Sequence, residues 1–302
     1  MLIQSAQSYL DVRRACGFEL KTEGNLLRSF ATFSDGRNDA YVRADTAIEW
    51  AGLANLAQTR ARRLGVVIRF ARHMRAEDPK HELPHPVFGR ETRTRPTPYI
   101  LSKDEIQRLI RAASESGYVT LRRDTYATLF ALLACTGLRV SEAIALRFDD
   151  ITVDGLMIRR TKFRKSRIVP VHDTTLAGLE RYLERRRPYA PFDDHVFISL
   201  RRKPLLIEDV ESAFRTAARK IGLPQWHGLP HATPHSLRHT FAVRSLEACP
   251  VDRDHVTKHT VALSTYLGHA SVANTYWYLQ ATPDLMQDIA HLSERFISGE
   301  LS

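Results

Sequence analysis

Three short stretches hold most of the side chains in this sequence that could do chemistry: "TGLRVSEAIAL" at 136–146, "PHSLRHTFA" at 234–242 and "LGHASVANTYWY" at 267–278. A fourth, "KFRKSRIVP" at 162–170, is dense in cations. Taken singly, each has an ordinary reading. Arg139 follows a helix-breaking turn, where arginines usually sit on the surface. Aromatic residues packed as closely as Tyr266, Tyr276, Trp277 and Tyr278 usually form core. His235 and His239 are four apart, which on a helix is also zinc-ligand spacing, and His227 and His231 extend that spacing backwards. Against zinc, Pro230 and Pro234 interrupt any continuous helix, and no Cys or acidic residue lies between these histidines. No metal is expected. Arginine points elsewhere, because its planar fork bonds phosphate bidentately.

Read in chain order, the stretches say more. T-G-x-R-x-x-E-x-x-x-L runs from Thr136 to Leu146, H-x-L-R-H from His235 to His239, and L-G-H ends at His269, nine residues before Tyr278. This order resembles the tyrosine recombinase, or phage-integrase, family over roughly residues 99–280. The family's hairpin lysine, embedded in K-x-x-K-x-R-x-V-P, falls at Lys162, with Lys165 as the alternative. The resemblance implies site-specific cleavage and rejoining of DNA through a 3′-phosphotyrosine, in integration, excision or transposition. It implies no cofactor: the ester energy is kept on Tyr278, and arginines do the charge work that a metal would do. Attack on a phosphodiester builds negative charge on two non-bridging oxygens, and preorganised cations stabilise it selectively. In that scheme Arg139 and Arg238 hold the phosphate. His235 and His269 add hydrogen bonds, and His235 helps to take the proton of the nucleophile. Lys162 protonates the leaving 5′-oxygen. A phenol, with a pKa of about 10, needs a positive cluster to favour its phenolate. Glu142 and His239 are expected in support, orienting Arg139 and lining the site, while Tyr266, Tyr276 and Trp277 are expected to pack. One departure stands out. His235 and His269 are 34 residues apart (269 minus 235), longer than is usual in the family by about two helical turns. The extra length lies in "EACPVDRDHVTKHTVALSTY" and is expected to be a longer loop or helix extension.

The elements that must position these residues can be sketched from periodicity. Residues 1–80 read as a helical unit that resembles the family's core-binding domain. Its helix "NLAQTRARRLGVVIRFARHMR" carries Leu64, Val67, Ile68, Ala71 and Met74 at helical spacing. Arginines cover its other faces, and Arg60, Arg63, Arg69 and Arg72 are candidates for DNA contact. Residues 81–98, rich in proline and arginine, read as a linker. Residues 99–302 form the expected catalytic unit. Ser102 and Glu105 make a capping box. "TYATLFALLACTG" reads as a buried helix stopped by Gly137, and "LRVSEAIALRFDDI" as the next helix. Met157, Ile158, Ile168, Val169 and Val171 read as a hairpin with a basic turn. In that turn Arg160, Arg164, Lys165 and Arg167 are candidates to hold phosphates. Leu285, Ile289, Leu292 and Phe296 put an amphipathic helix at 283–298. The fold class expected is mostly α: a helical N-terminal domain and a mixed α+β catalytic domain with a small antiparallel sheet.

Bulk properties agree with a polyanionic partner. Lys plus Arg is 44 against 34 Asp plus Glu, a formal net charge of +10, with 43% hydrophobic residues in 302. Cys16, Cys135 and Cys249 are odd in number and widely spaced, which argues for a reducing, cytoplasmic setting rather than a disulfide framework. No run approaches the length of a membrane span, and the N-terminus shows no signal-peptide pattern. The expected partners are double-stranded DNA with paired inverted recognition sites and further copies of the chain. These would form a tetrameric synapse through the C-terminal helix, with sister recombinases as further partners. Two other readings stay open at this level: a type IB-like topoisomerase, which would relax DNA lacking any specific site, and a non-catalytic DNA-binding regulator, which would form no covalent adduct.

Overall fold

The computed structural model describes residues 2–89, 97–116, 120–159, 166–190, 192–224, 231–249, 253–269 and 271–279. Arg160, Lys162, Arg164, Lys165 and the 283–298 helix therefore lie outside the described residues. The chain divides into two compact units, Met1–Arg95 and Pro96–Ser302.

The first unit is built from α1 (Leu2–Ala15), α2 (Lys21–Asp35), α3 (Ala44–Gly52) and α4 (Ala57–Glu77). Their apolar stripes meet in one core containing Leu10, Leu27, Phe30, Trp50, Leu64, Val67 and Phe70. Burying each such side chain is worth about 1.5–3 kcal/mol. Gly17, at φ +90°, takes the left-handed conformation that ends α1. Residues just after α4, expected as the front of a linker, are fastened to this unit. The buried His81 ring accepts from the Val42 N–H at 3.0 Å, the Glu82 N–H donates to the Val42 carbonyl, and Phe88 packs on the core. Proline there stops the helix without freeing the chain, because backbone pairing and an apolar anchor hold residues 81–88 in place.

The second unit opens with α5 (Lys103–Ser114), which has the expected capping box. Ser102 Oγ accepts from the Glu105 N–H at 3.1 Å, and the Glu105 carboxylate accepts from the Ser102 N–H at 2.7 Å. α6 (Thr120–Thr136) buries Leu121, Leu129, Phe130, Leu132 and Leu133. It stops at Gly137, whose φ is +61° and whose position leaves no room for a side chain: a Cβ would lie 2.5 Å from the Phe241 ring. α7 (Val140–Ile144) is shorter than the sequence suggests. The chain leaves the helix because the Val196 N–H donates to Leu146 and the Phe148 N–H donates to Asp194. A 3-10 turn, Phe148–Asp150, takes over. The sheet is antiparallel, in the order β1 (Ile151–Thr152), β2 (Gly155–Ile158), β3 (Arg167–Val169). The expected hairpin is β2 with β3, and Ile158 sits opposite Arg167.

α8 (Asp173–Arg186), α9 (Ile207–Lys220), α10 (Pro234–Glu247), α11 (Arg253–Leu267) and α12 (Ala273–Leu279) complete the unit. A large core joins Phe130, Leu156, Val169, Phe197, Phe214 and Leu237. A smaller one joins Ala242, Val243, Leu246, Leu263, Leu267 and Tyr278. The long interval before His269 is thus mostly helix α11. Among the described residues no helix is long and apolar enough to cross a membrane.

Candidate active site

Each of the three motifs folds into a helix end or a helix face. Arg139 is the N-cap residue of α7, and its neighbour Glu142 points back at it. The Glu142 carboxylate accepts from the Arg139 backbone N–H at 3.0 Å and from Arg139 Nη1 at 2.7 Å. His235, Arg238 and His239 share α10, which starts at Pro234 in the first turn, where a proline costs no hydrogen bond. His269 follows Gly268, whose φ of +66° turns the chain sharply at the end of α11. Tyr278 lies on α12, 2% exposed in the small core.

The end of α11 is the meeting point. Its last carbonyls lack helical partners and carry the negative end of the helix dipole. Arg167 Nε donates to the Tyr266 carbonyl at 2.7 Å, Arg238 Nη2 to Leu267 at 2.8 Å, and Arg139 Nη2 to Gly268 at 3.0 Å. Consecutive carbonyls thus hold three arginines. Arg238 also donates to the Gly137 carbonyl at 2.6 Å, so both guanidiniums of the phosphate pair are fixed by backbone. Arg238 is 1% exposed, and its pKa is pushed down to about 10, by desolvation first and then by the like charge of Arg139. It remains a cation at neutral pH.

The histidines form a chain of ring contacts leading to the phenol. The His235 and His239 rings meet edge to face with centroids 4.4 Å apart, and His239 Nδ1 lies 3.1 Å from Tyr278 Oη. The His269 ring stacks toward Tyr278 at 6.1 Å, and its Nδ1 is 2.8 Å from Thr275 Oγ1. His235 is pushed down to about 4, by desolvation and then by Arg238 and Arg139. Water reaches part of this exposed residue, and His235 is neutral at physiological pH. Glu142 moves the opposite way from what burial would do. Desolvation raises a carboxyl, but the hydrogen bonds from Arg167 and Arg139 and their charges outweigh it and bring Glu142 down to about 2.

The residues expected to do chemistry, Arg139, His235, Arg238, His269 and Tyr278, are therefore gathered in one place, while Lys162 lies outside the described residues. Four expectations change. The histidine in contact with the Tyr278 hydroxyl is His239 rather than His235. Tyr276 is 49% exposed and does not pack. Arg167 is turned away from solvent, with its Nη1 and Nη2 on the two Glu142 oxygens at 3.0 and 2.9 Å. On α4, Arg60 donates to the Ala54 carbonyl, and Arg63 lies over the Trp50 ring with its Nη1 toward the Trp50 carbonyl. Those two arginines serve their own unit's packing. Arg69 and Arg72 are exposed, and Arg62, Gly65, Arg69 and Pro86 line a shallow groove of about 200 Å³. Sequence reasoning missed Thr275, the partner of His269. Only a helix joining it to Tyr278 on a facing turn could have flagged it.

Known proteins are similar to this chain in sequence and in fold. The family model described as "Phage integrase family" matches residues 100–284. A Sinorhizobium fredii protein named "Putative integrase/recombinase y4rB" is 36% identical over 97% of this chain and 96% of its own length. Tyrosine recombinase XerD of Caulobacter vibrioides is 30% identical over 73% of this chain and 70% of its own. Among solved structures, a lambda integrase dimer bound to a COC′ core site superposes with a TM-score of 0.65 at 20% identity, covering 92% of this chain and 76% of that one.

Proposed function

The chain belongs to the phage integrase family of tyrosine recombinases, enzymes that break and rejoin DNA at specific sites, and we propose that Tyr278 is the nucleophile with which it does so. The observation that carries this reading is the position of the Tyr278 hydroxyl, against His239 and within electrostatic reach of Arg238, whose fork is anchored by the end of α11. Each guanidinium has five N–H donors. Arg139 and Arg238 spend some on backbone and on Glu142 and keep others for a phosphate. Fixed in this way, they need no reorganisation when charge develops on the non-bridging oxygens. His235, neutral at physiological pH, and His269 add hydrogen bonds.

The reaction is a transesterification. Tyr278 Oη attacks the scissile phosphorus, its proton passes to His239, and the bond to the 5′-oxygen breaks. Lys162 supplies the proton that the leaving oxygen takes. The product is a 3′-phosphotyrosine and a free 5′-hydroxyl, and attack by a second 5′-hydroxyl reverses the step with a new partner strand. No external energy source enters, since one ester replaces another.

The substrate is double-stranded DNA with paired inverted recognition sites, gripped in part by exposed Arg69 and Arg72. Solved relatives in the fold include a lambda integrase tetramer bound to a Holliday junction and the Tn1549 transposon integrase in complex with circular intermediate DNA. By that analogy this chain assembles as a tetramer on DNA and acts in integration, excision or transposition; the apolar spacing of Leu285, Ile289, Leu292 and Phe296 makes 283–298 the candidate contact, and three widely spaced cysteines suit a cytoplasmic setting. A suicide substrate nicked beside the cleavage point tests the reading, because the short 5′ fragment diffuses away and traps the adduct. Wild type should accumulate a covalent protein–DNA band, Tyr276→Phe should keep it, and Tyr278→Phe should lack it. A band that persists in Tyr278→Phe removes Tyr278 from the role.

A further inference from the structure

Arg167 sits in strand β3, five residues after the expected general acid, and was expected on DNA. Its surroundings give it a different task. The side chain is only 12% exposed. Its fork closes on Glu142, one Nη on each carboxylate oxygen, and its Nε reaches the Tyr266 carbonyl. The N–H groups that would face a phosphate are committed inside the protein. Glu142 is itself 8% exposed and is shared with Arg139. One buried carboxylate thus joins an arginine of the sheet to an arginine of the site.

The same residue holds the other side of the site. The carbonyls of Tyr266, Leu267 and Gly268 go to Arg167, Arg238 and Arg139 in turn. Next comes His269, whose backbone N–H donates to Ser264 at 3.0 Å. The turn into His269 is built around Arg167: a Cβ on Gly268 would lie 2.7 Å from Arg167 Nη1 and 2.9 Å from its Cζ. A side chain at 268 would push the guanidinium off its partners and would also have to hold a φ of +66°.

We propose that Arg167 is a positioning residue that sets Arg139, through Glu142, and His269, through the end of α11, in register with the scissile phosphate. This rests on the assignment of Arg139 and Tyr278 made above. Lysine cannot replace it, since an ammonium is a point charge that cannot bridge both carboxylate oxygens and a carbonyl at fixed angles. A misplacement of about 1 Å in such a group costs about 100-fold in rate.

The test compares wild type with Arg167→Lys and Arg167→Ala in single-turnover cleavage of the nicked substrate, with DNA affinity measured separately. Two substrates are used: the ordinary phosphodiester, and one with an uncharged methylphosphonate at the scissile position, which lacks part of the charge Arg139 serves. The expected result is a loss of about 100-fold on the phosphodiester, affinity within about twofold of wild type, and a loss below about tenfold on the methylphosphonate. A general loosening of the fold would slow both substrates alike, and that outcome overturns the proposal. So does cleavage of the phosphodiester within about threefold of wild type, or a Lys variant that does not fold, which would make Arg167 a folding residue. If Arg167→Ala alone fails to fold, Arg167→Lys carries the comparison. Wild type forming no adduct at Tyr278 would instead remove the functional reading itself, so the two failures are told apart.

Discussion

Replacing Glu142 with glutamine keeps the shape of the side chain and removes its charge. The structure sets the size of the effect. Glu142 is held at about 2 against an ordinary 4.5, and its side chain is 8% exposed, so solvent screens little of the interaction. At about 1.4 kcal/mol per pH unit, the difference is worth about 3 kcal/mol of stability at neutral pH. The folded value lies below the unfolded one. The stabilisation is therefore complete above pH 4.5 and is lost as pH falls toward 2, because the unfolded chain takes up its proton first. At pH 3 about half of it should remain. Urea unfolding followed by tryptophan fluorescence measures this in a Trp50→Phe background, where the remaining Trp226 and Trp277 both belong to the second unit. Wild type should exceed Glu142→Gln by about 3 kcal/mol at pH 7 and by about half that at pH 3. A difference that does not change with pH would refute the reasoning, since it would mean that the carboxylate's charge is not what Arg139 and Arg167 respond to.

Other outcomes rest on the same geometry. Arg69→Ala and Arg72→Ala should each lower the salt dependence of DNA binding by about one counterion, read as the slope of log affinity against log salt. Arg63→Ala should leave that slope unchanged and lower the melting temperature of the first unit. Gly268→Ala must hold a left-handed φ at a cost of about 1–2 kcal/mol and displace Arg167, so its cleavage rate should fall alongside that of the Arg167 variants. Lys162→Ala should cleave poorly with an ordinary 5′-oxygen and recover with a 5′-sulfur, a leaving group that needs no proton. Recovery in Lys165→Ala instead would move the acid to Lys165.

The motifs of the candidate site stood out in the sequence through their order, which resembles the tyrosine recombinase family, and the local turns that hold them could be read from residue type. Gly137 marks the left-handed stop before Arg139, Pro234 marks the start of the helix that carries His235 and Arg238, and Ser102 with Glu105 marks a helix start that the structure reproduces. The small sheet was half legible: β2 and β3 are short apolar runs flanking a basic turn, whereas β1 is two residues long and has no pattern to read. What stayed hidden depends on contacts distant in sequence. Arg167 looked like one more cation in a basic hairpin, because its partners Glu142 and Tyr266 are 25 and 99 residues away. Arg60 and Arg63 looked like a DNA-facing row, because helical spacing does not say which carbonyl or ring a long side chain will find. The pairing of His239 with Tyr278 spans 39 residues and is set by how α12 packs on α10.

The central claim is that Tyr278 carries the DNA. It is tested most directly by trapping the adduct of the wild-type chain on a nicked substrate, digesting both protein and DNA, and reading the modified peptide by mass spectrometry. The account predicts a nucleotide mass on Tyr278 and unmodified Tyr266 and Tyr276. A nucleotide on either of those residues, or on any side chain other than Tyr278, would contradict it.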